Sequence, residues 1–375
     1  MSVDVLIVGF SGRAAAGSAR RAGVKPIVVD CFADRDTAAY AEVHQCPPEH
    51  FLQGLLPIIE KMPKFPVVFC GGMEHEPELI AAIRGPSEAT TNYVEFVKTM
   101  RGMITTDGDM RSWMRRRIAT HMLPTRYASW TDYPYADQPT LTKPYRSGGG
   151  VGIRPALPSD PQPGFYLQPL YEGVPYSSSF RRIGSQTDCL GTTKQLIGES
   201  WLHARDYSYC GNIGPTTLPE GPAAAIENWG TVVAGFTHFN SHWGFDFVLG
   251  DLPRMIEVNP RYTASMEVLE HSTGRALLAN DLTVPVPPGI VGKAIYYAPF
   301  DLIVPESAAF DEAVAVAADP WALPEFADIP HVGERIAKGT PVVTILTRQA
   351  DEDAVLAELK RQAMNLDELF EGCRA

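Results

Sequence analysis

Two hydrophobic periods divide this chain. The run VDVLIVG (3–9) is short, apolar and β-branched, the pattern of a strand buried on both faces. GRAAAGSARRAG (12–23) follows, alanine-rich as a helix should be, with Gly23 suited to its C-terminal stop. PIVVD (26–30) reads as a second strand, FPVVFCGG (65–72) as another, and PELIAAIRG (77–85) as a helix. Strand and helix alternate, which predicts an open parallel α/β sheet over residues 1–105.

The pattern then changes. MRSWMRRRIATHML (110–123) predicts a helix with a basic face, closed by Pro124. TLTKPYR (140–146) is a strand that runs into a glycine loop; FYLQPLY (165–171) and VPYSSSFRRIG (174–184) are strands with Gly173 at the turn between them. PAAAIENWGTVVAG (222–235) predicts a helix. THFNSHWGFDFVL (237–249) and PRMIEVNP (253–260) predict antiparallel strands joined by the turn GDLP (250–253). The proline-rich VPVPPGIVG (284–292) marks a boundary, beyond which GKAIYYAP (292–299) and TPVVTILTR (340–348) read as strands and residues 351–370 as a closing helix. The expected organisation is an N-terminal α/β domain (1–105), a linker helix and small lid (106–180), an antiparallel core (181–285) and a C-terminal subdomain (286–375). That last part completes the core or builds a homodimer.

Composition narrows the classes. With 375 residues, 45% of them hydrophobic, the chain can bury real cores and is not a disordered protein. A formal net charge of −12 disfavours nucleic acid and anionic membrane, which demand a basic face. No run of about 18 apolar residues predicts a transmembrane helix. The N-terminal stretch reads as a strand and not as a signal peptide. Six scattered cysteines without a CxxC pair predict reduced thiols and a cytoplasmic protein.

Candidate chemistry begins at LTKPYRSGGGVGIRP (141–155), where Lys143 precedes Gly148, Gly149, Gly150 and Gly152. GxxxxGK[ST] is absent, so this is no P-loop. A lysine on a strand can present a point charge to phosphate oxygens, and glycine amides can converge on an anion because no Cβ blocks approach. The bland alternative is a mobile surface hairpin. A second cluster is GFDFVLGDLPRMIEVNPR (244–261). Asp246 stands between Phe245 and Phe247, a costly place for a carboxylate unless it is paired or metal-bound. Glu257 and Asn259 share one face of their strand, and pairing across the turn brings Asp246 near Glu257. Two carboxylates and an amide suit Mg²⁺ bridging nucleotide phosphates. Arg261 returns to the same face and could hold an anionic substrate or intermediate. An edge hairpin with a solvated polar face is the alternative.

Other signals are weaker. FYLQPLY, ending in a polar turn, could show backbone groups to a base edge, or be ordinary core. GFSGRAAAGSARRAG, with Asp30 about 20 residues on, has the outline of a dinucleotide fingerprint, but GxGxxG is not met. NAD(P) is therefore a minor reading, although a helix N-terminus still favours some anion there. His238 and His242 flank the core strand and read as structural, with no HExxH run. No GxSxG elbow anchors a hydrolase triad.

An α/β N-terminal domain, a lysine with a glycine loop, a hinge strand and then Asp…Glu-x-Asn-x-Arg come in an order that resembles the ATP-grasp superfamily. The resemblance implies an α/β (α+β ATP-grasp) fold that binds ATP with Mg²⁺ or Mn²⁺. It implies that Lys143 and Gly148, Gly149 and Gly150 form the lid lysine and flexible loop. Gln168 falls where many members have a glutamate reading the adenine amino group, and Pro169, Leu170 and Tyr171 where they have the adenine hinge. Asp246, Glu257 and Asn259 match the metal ligands, and Arg261 the catalytic arginine. Arg111 falls where a phosphate-binding lysine often precedes the lid, a departure from the family pattern. GFSGRAAAGSARRAG, GGMEHEPELI and MIEVNPRYTASME also resemble a narrower carboligase-like group related to biotin carboxylase. Some of its members are linked to tetrahydromethanopterin and methylofuran biosynthesis, a tyramine–glutamate ligase among them.

The resemblance implies an ATP-dependent ligase joining a small-molecule carboxylate to an amine through an acyl phosphate. Glutamate with an aromatic amine or a cofactor precursor is the expected pair of substrates, with Tyr207, Tyr209 and Trp243 near the candidate strands. The competing readings are a carboxylase that activates bicarbonate and a non-catalytic ATP-binding regulator.

Overall fold

A computed structural model describes residues 5–102, 137–235, 241–279 and 282–375. The N-terminal sheet is parallel and has four strands, β1 (Val5–Val8), β2 (Pro26–Asp30), β3 (Glu42–Gln45) and β4 (Val67–Phe69), in the order β3-β2-β1-β4. β1 and β2 are buried along their whole length, which is why their sequences show apolar runs and no alternation. The helix Arg13–Arg21 packs its alanines on this sheet, and Gly23 then ends it with φ +74°.

A small antiparallel sheet follows, with β5 (Thr140–Pro144), β6 (Arg154–Pro155) and β7 (Phe165–Pro169) in the order β6-β5-β7. The chain then enters a sheet of eight strands. These are β8 (Val174–Ile183), β9 (Gln186–Ile197), β10 (Tyr209–Gly214), β11 (Ser241–Leu249), β12 (Pro253–Asn259), β13 (Ile290–Tyr297), β15 (Phe326–Ala327) and β17 (Pro341–Gln349). Their order is β12-β11-β8-β9-β10-β13-β17-β15, every pairing antiparallel. Strands β14 (Leu302–Ile303) and β16 (Arg335–Ile336) form a separate ribbon. The turn at Gly173 therefore joins two different sheets, and it is cramped: a Cβ there would lie 2.4 Å from the Leu249 carbonyl oxygen.

On β11 the alternation decides which groups face the site. Phe245 and Phe247 are fully buried and pack with Phe180 and Trp229, while Asp246 points to the opposite face. Trp243, on the same strand, also belongs to this aromatic core, stacked on Phe180, and does not line the site. β13 pairs with β10, and β17 and then β15 follow it, so these C-terminal strands extend the same sheet.

Candidate active site

The two clusters singled out in the sequence face one cavity of about 410 Å³, a size suited to a nucleotide. Lys143, on β5, is 9% exposed and lines it, as do Gly148, Gly149 and Gly150. The loop is docked onto the large sheet: Tyr209 donates its amide to the Gly149 carbonyl at 3.0 Å. Gly150 has φ +81°, and a Cβ on it would sit 1.9 Å from the Tyr207 carbonyl oxygen. Only glycine permits that approach. Gly148 and Gly149, by contrast, face open space.

Gln168 lies on β7 beside Leu141 of β5. Its Nε2 donates to the Ile256 carbonyl at 3.2 Å, which orients the amide. Its Oε1 is then buried in the cavity wall with no hydrogen-bond partner. A buried acceptor without a donor costs free energy, about 1–3 kcal/mol, and an exocyclic amino group would satisfy it. Pro169, Leu170 and Tyr171 follow along the same wall. Pro169 has no N–H and Leu170 spends its own on the Pro139 carbonyl at 2.8 Å. A base edge at this segment would meet the Tyr171 amide or a carbonyl.

Opposite them, the β11–β12 hairpin sets Asp246 in register with Glu257, and Gly244 with Asn259. A bulge after Asp246 marks the site. Asp246 accepts from Gln195 Nε2 at 3.0 Å and from Asn259 Nδ2 at 3.1 Å. Burial, and then the facing Glu257 carboxylate, push the Asp246 carboxyl up to about 7. Two carboxylates that face one another offer oxygens that a cation could bridge. Asn259 turns its Oδ1 toward Arg261 Nη2 at 3.3 Å, so a half-turn of the amide would present that oxygen beside Asp246. Among the described residues no group of three His, Cys, Asp or Glu side chains is placed to hold a metal; the oxygen groups gathered here are two carboxylates and an amide.

Arg261 closes the row. Its Nε donates to Glu74 Oε1 at 2.7 Å, and Glu74 belongs to the turn after β4 in the N-terminal sheet. The structure thus brings together every residue that the resemblance assigns to the site except Arg111, which lies outside the described residues, as does His238; Gly152 does not line the cavity. His242 is engaged with the Leu277 carbonyl at 2.8 Å and does not line this cavity. Three contributors escaped the sequence reading: Gln195, Asn212 and Glu74. Gln195 and Asn212 lie on polar or glycine-containing strands that show no apolar alternation. Glu74 stands in the quoted run GGMEHEP, but no local signal links it to Arg261.

The fingerprint-like N-terminus is built differently from a dinucleotide site. Asp30 accepts from the amides of Gly12 and Ala33, each at 2.9 Å, so a carboxylate already sits at the start of the Arg13–Arg21 helix. Gly9 and Gly12 serve packing: a Cβ at either would lie 2.5 Å from Cys70 or Val28. The Asp30 carboxylate on those amides works against a pyrophosphate at the same place.

Residues 114–265 match the family model described as "ATP-grasp domain". No curated protein sequence matches the chain. Among solved structures, an L-amino acid ligase from Bacillus licheniformis is similar, with a TM-score of 0.64, 14% identity and 97% of each chain covered. Biotin carboxylase from Campylobacter jejuni is similar at a TM-score of 0.60 and 14% identity, covering 97% of this chain and 91% of that one. N5-carboxyaminoimidazole ribonucleotide synthetase from Thermus thermophilus gives 0.61 and 15%, covering 95% and 98%. Residues 114–265 are thus similar to an ATP-grasp domain, and the chain shares the fold of these solved structures.

Proposed function

We propose that this chain is an ATP- and Mg²⁺-dependent ligase that joins a small-molecule carboxylate to an amine. The observation that carries the reading is the single cavity lined by Lys143 and its glycine loop on one wall and by Asp246, Glu257 and Asn259 on the other. The similar solved structures include a ligase and a complex of biotin carboxylase with an ATP analogue, which supports the same class.

In this reading Gln168 Oε1 accepts from the adenine amino group, and the segment from Pro169 to Tyr171 flanks the base. Lys143 and the loop amides hold phosphate oxygens. Asp246, Glu257 and Asn259 hold Mg²⁺ or Mn²⁺, which when bound neutralises charge on the transferred phosphoryl group. Arg261, fixed by Glu74, faces the substrate carboxylate, whose oxygen takes the γ-phosphoryl group to give an acyl phosphate and ADP. The amine nitrogen then displaces phosphate and loses a proton. The docked glycine loop excludes water, which would otherwise hydrolyse the acyl phosphate. Arg111 is assigned to the phosphates on resemblance alone.

The finer reading is a cytoplasmic enzyme that adds glutamate to an aromatic amine in methylofuran or tetrahydromethanopterin biosynthesis. It rests on the motif resemblance and on Tyr207 and Tyr209 in the cavity wall. Phosphate release over a panel of acids and amines tests the ligase, with Asp246→Asn and Glu257→Gln as controls. Turnover that persists in both variants overturns the metal assignment. Release that needs bicarbonate and no amine converts the reading to a carboxylase, which the biotin carboxylase likeness supports. Tight ATP binding without turnover on any pair would make the chain a regulator.

A further inference from the structure

A second cavity, of about 350 Å³, lies where the outer edge of β4 and Tyr262 meet the end of β8 and the start of β11. Its described lining carries four arginines, Arg84, Arg181, Arg182 and Arg261, and no aspartate or glutamate. That is an unusual wall in a chain of net charge −12.

The partners of these arginines differ. Arg261 is matched by Glu74. Arg181 shares one carboxylate, Asp188, with Arg275, and donates Nη1 to the Ala279 carbonyl. Its Nε, on a side chain 2% exposed, has no acceptor. Ser241 Oγ, on a residue 7% exposed, is also buried without a partner. Arg84 lies over the Tyr93 ring at 5.0 Å, and among the described residues no carboxylate lies within ion-pair distance of it. Burial holds the Arg84 guanidinium below its ordinary value, the sign of a charge short of compensation. His242, neutral because burial pushes it down to about 4, adds no acidic group. The remaining wall is apolar, with Phe69, Leu277 and Leu278.

We propose that this cavity is a binding site for a small organic anion, with a carboxylate or phosphate head between Arg84, Arg181 and Ser241 and an apolar body against Leu277 and Leu278. Charge-assisted bonds to the head would satisfy the two orphaned donors, and the apolar wall would set it apart from a bare-phosphate site. Arg261 lines both cavities, so it forms a wall between this site and the one above. The inference does not depend on the ligase reading.

Isothermal titration of the full chain with phenylacetate, phenyl phosphate and inorganic phosphate tests it, in wild type, Arg84→Gln, Arg84→Lys, Ser241→Ala and Lys143→Ala. The expected result is that one of the aromatic anions binds more tightly than inorganic phosphate, and the two arms tell carboxylate from phosphate. Arg84→Gln should weaken it about tenfold or more and Ser241→Ala by about threefold, while Arg84→Lys retains most of the affinity. Lys143→Ala should leave it unchanged. Binding of neither aromatic anion to the wild type overturns the proposal. So does binding that follows Lys143 and ignores Arg84, which would place the anion in the other cavity.

Discussion

Arg261 reaches across 187 residues to donate its Nε to Glu74 at 2.7 Å, tying the end of β12 to the N-terminal sheet. The Glu74 side chain is 1% exposed. Through Arg261 it steadies Asn259, and through Asn259 it steadies Asp246. Glu74 is therefore a positioning residue for the candidate metal site.

Removing one partner of a buried ion pair typically costs about 3–5 kcal/mol, because the other charge stays behind unpaired. Glu74→Ala should lose stability on that scale in urea unfolding. Glu74→Gln keeps a hydrogen bond to Arg261 and should lose less, about 1–3 kcal/mol. In turnover, Glu74→Gln should lower kcat about tenfold or more with KM for ATP nearly constant, since a neutral amide holds Arg261 less firmly than the carboxylate does and leaves the nucleotide walls intact. A change confined to KM for ATP would contradict this role.

The glycine loop makes a contrast between neighbours. Gly148→Ala adds a methyl group to open space. Gly150→Ala forces a Cβ into the Tyr207 carbonyl at a left-handed φ of +81°. Titration with AMP-PNP and Mg²⁺ should show Gly148→Ala within about twofold of wild type. Gly150→Ala should weaken binding by about tenfold or more, because the loop can no longer dock on Tyr209. Equal effects at the two positions would mean that docking of the loop does not matter for the nucleotide.

Much of this architecture is legible in the chain for physical reasons. VDVLIVG and PIVVD announce a parallel sheet because strands covered on both faces must be continuously apolar. GFDFVLGDLPRMIEVNP announces the hairpin by its period of two and its turn, but an uninterrupted register would set Asp246 opposite Ile256; the bulge between Asp246 and Phe247 sets it opposite Glu257. The middle strands are silent. QTDCLGTTKQLI is largely polar, with Gln195 and Ile197 lining the cavity, and β10 contains two glycines. Gln195 donates to Asp246 from such a strand, so its role appears only once the sheet is assembled. Glu74 is hidden for a different reason: a pairing across 187 residues has no local pattern.

The facing carboxylates make a prediction about pH. Asp246 is raised from an ordinary value of 3.8 to about 7, so the folded state binds more protons than the unfolded chain in that window. Without metal, its contribution to stability falls as pH rises from about 4 to about 7. Asp246→Asn should remove this slope from urea midpoints measured in EDTA and raise the midpoint at neutral pH. The same variant should lose the Mg²⁺-dependent rise in Tm with ATP. A wild-type midpoint slope identical to that of Asp246→Asn would show that Asp246 does not titrate in this range.

The final prediction concerns the C-terminal strands. Glu267, on the helix Ala264–Thr273, accepts from Arg13 Nη2 at 3.0 Å and from Lys293 of β13 at 2.8 Å. Arg13 also donates to Asp328 at 2.9 Å. One buried carboxylate thus joins the N-terminal helix, the large sheet and the segment after residue 290. Burial alone would raise the Glu267 carboxyl, but Arg13 and Lys293 hold it well below the ordinary 4.5. Its contribution is therefore present above that value and is lost as pH falls below it. Glu267→Gln leaves two cations facing a neutral amide and should cost about 3–5 kcal/mol at about pH 7. Lys293→Met leaves Arg13 on the carboxylate and should cost less. The difference between wild type and Glu267→Gln should shrink in acid. Asp36, raised to about 6 by burial, gives a slope of opposite sign below neutrality that is common to both proteins, so only their difference is diagnostic. A pH-independent difference would mean that the loss reflects packing and not the charge on Glu267.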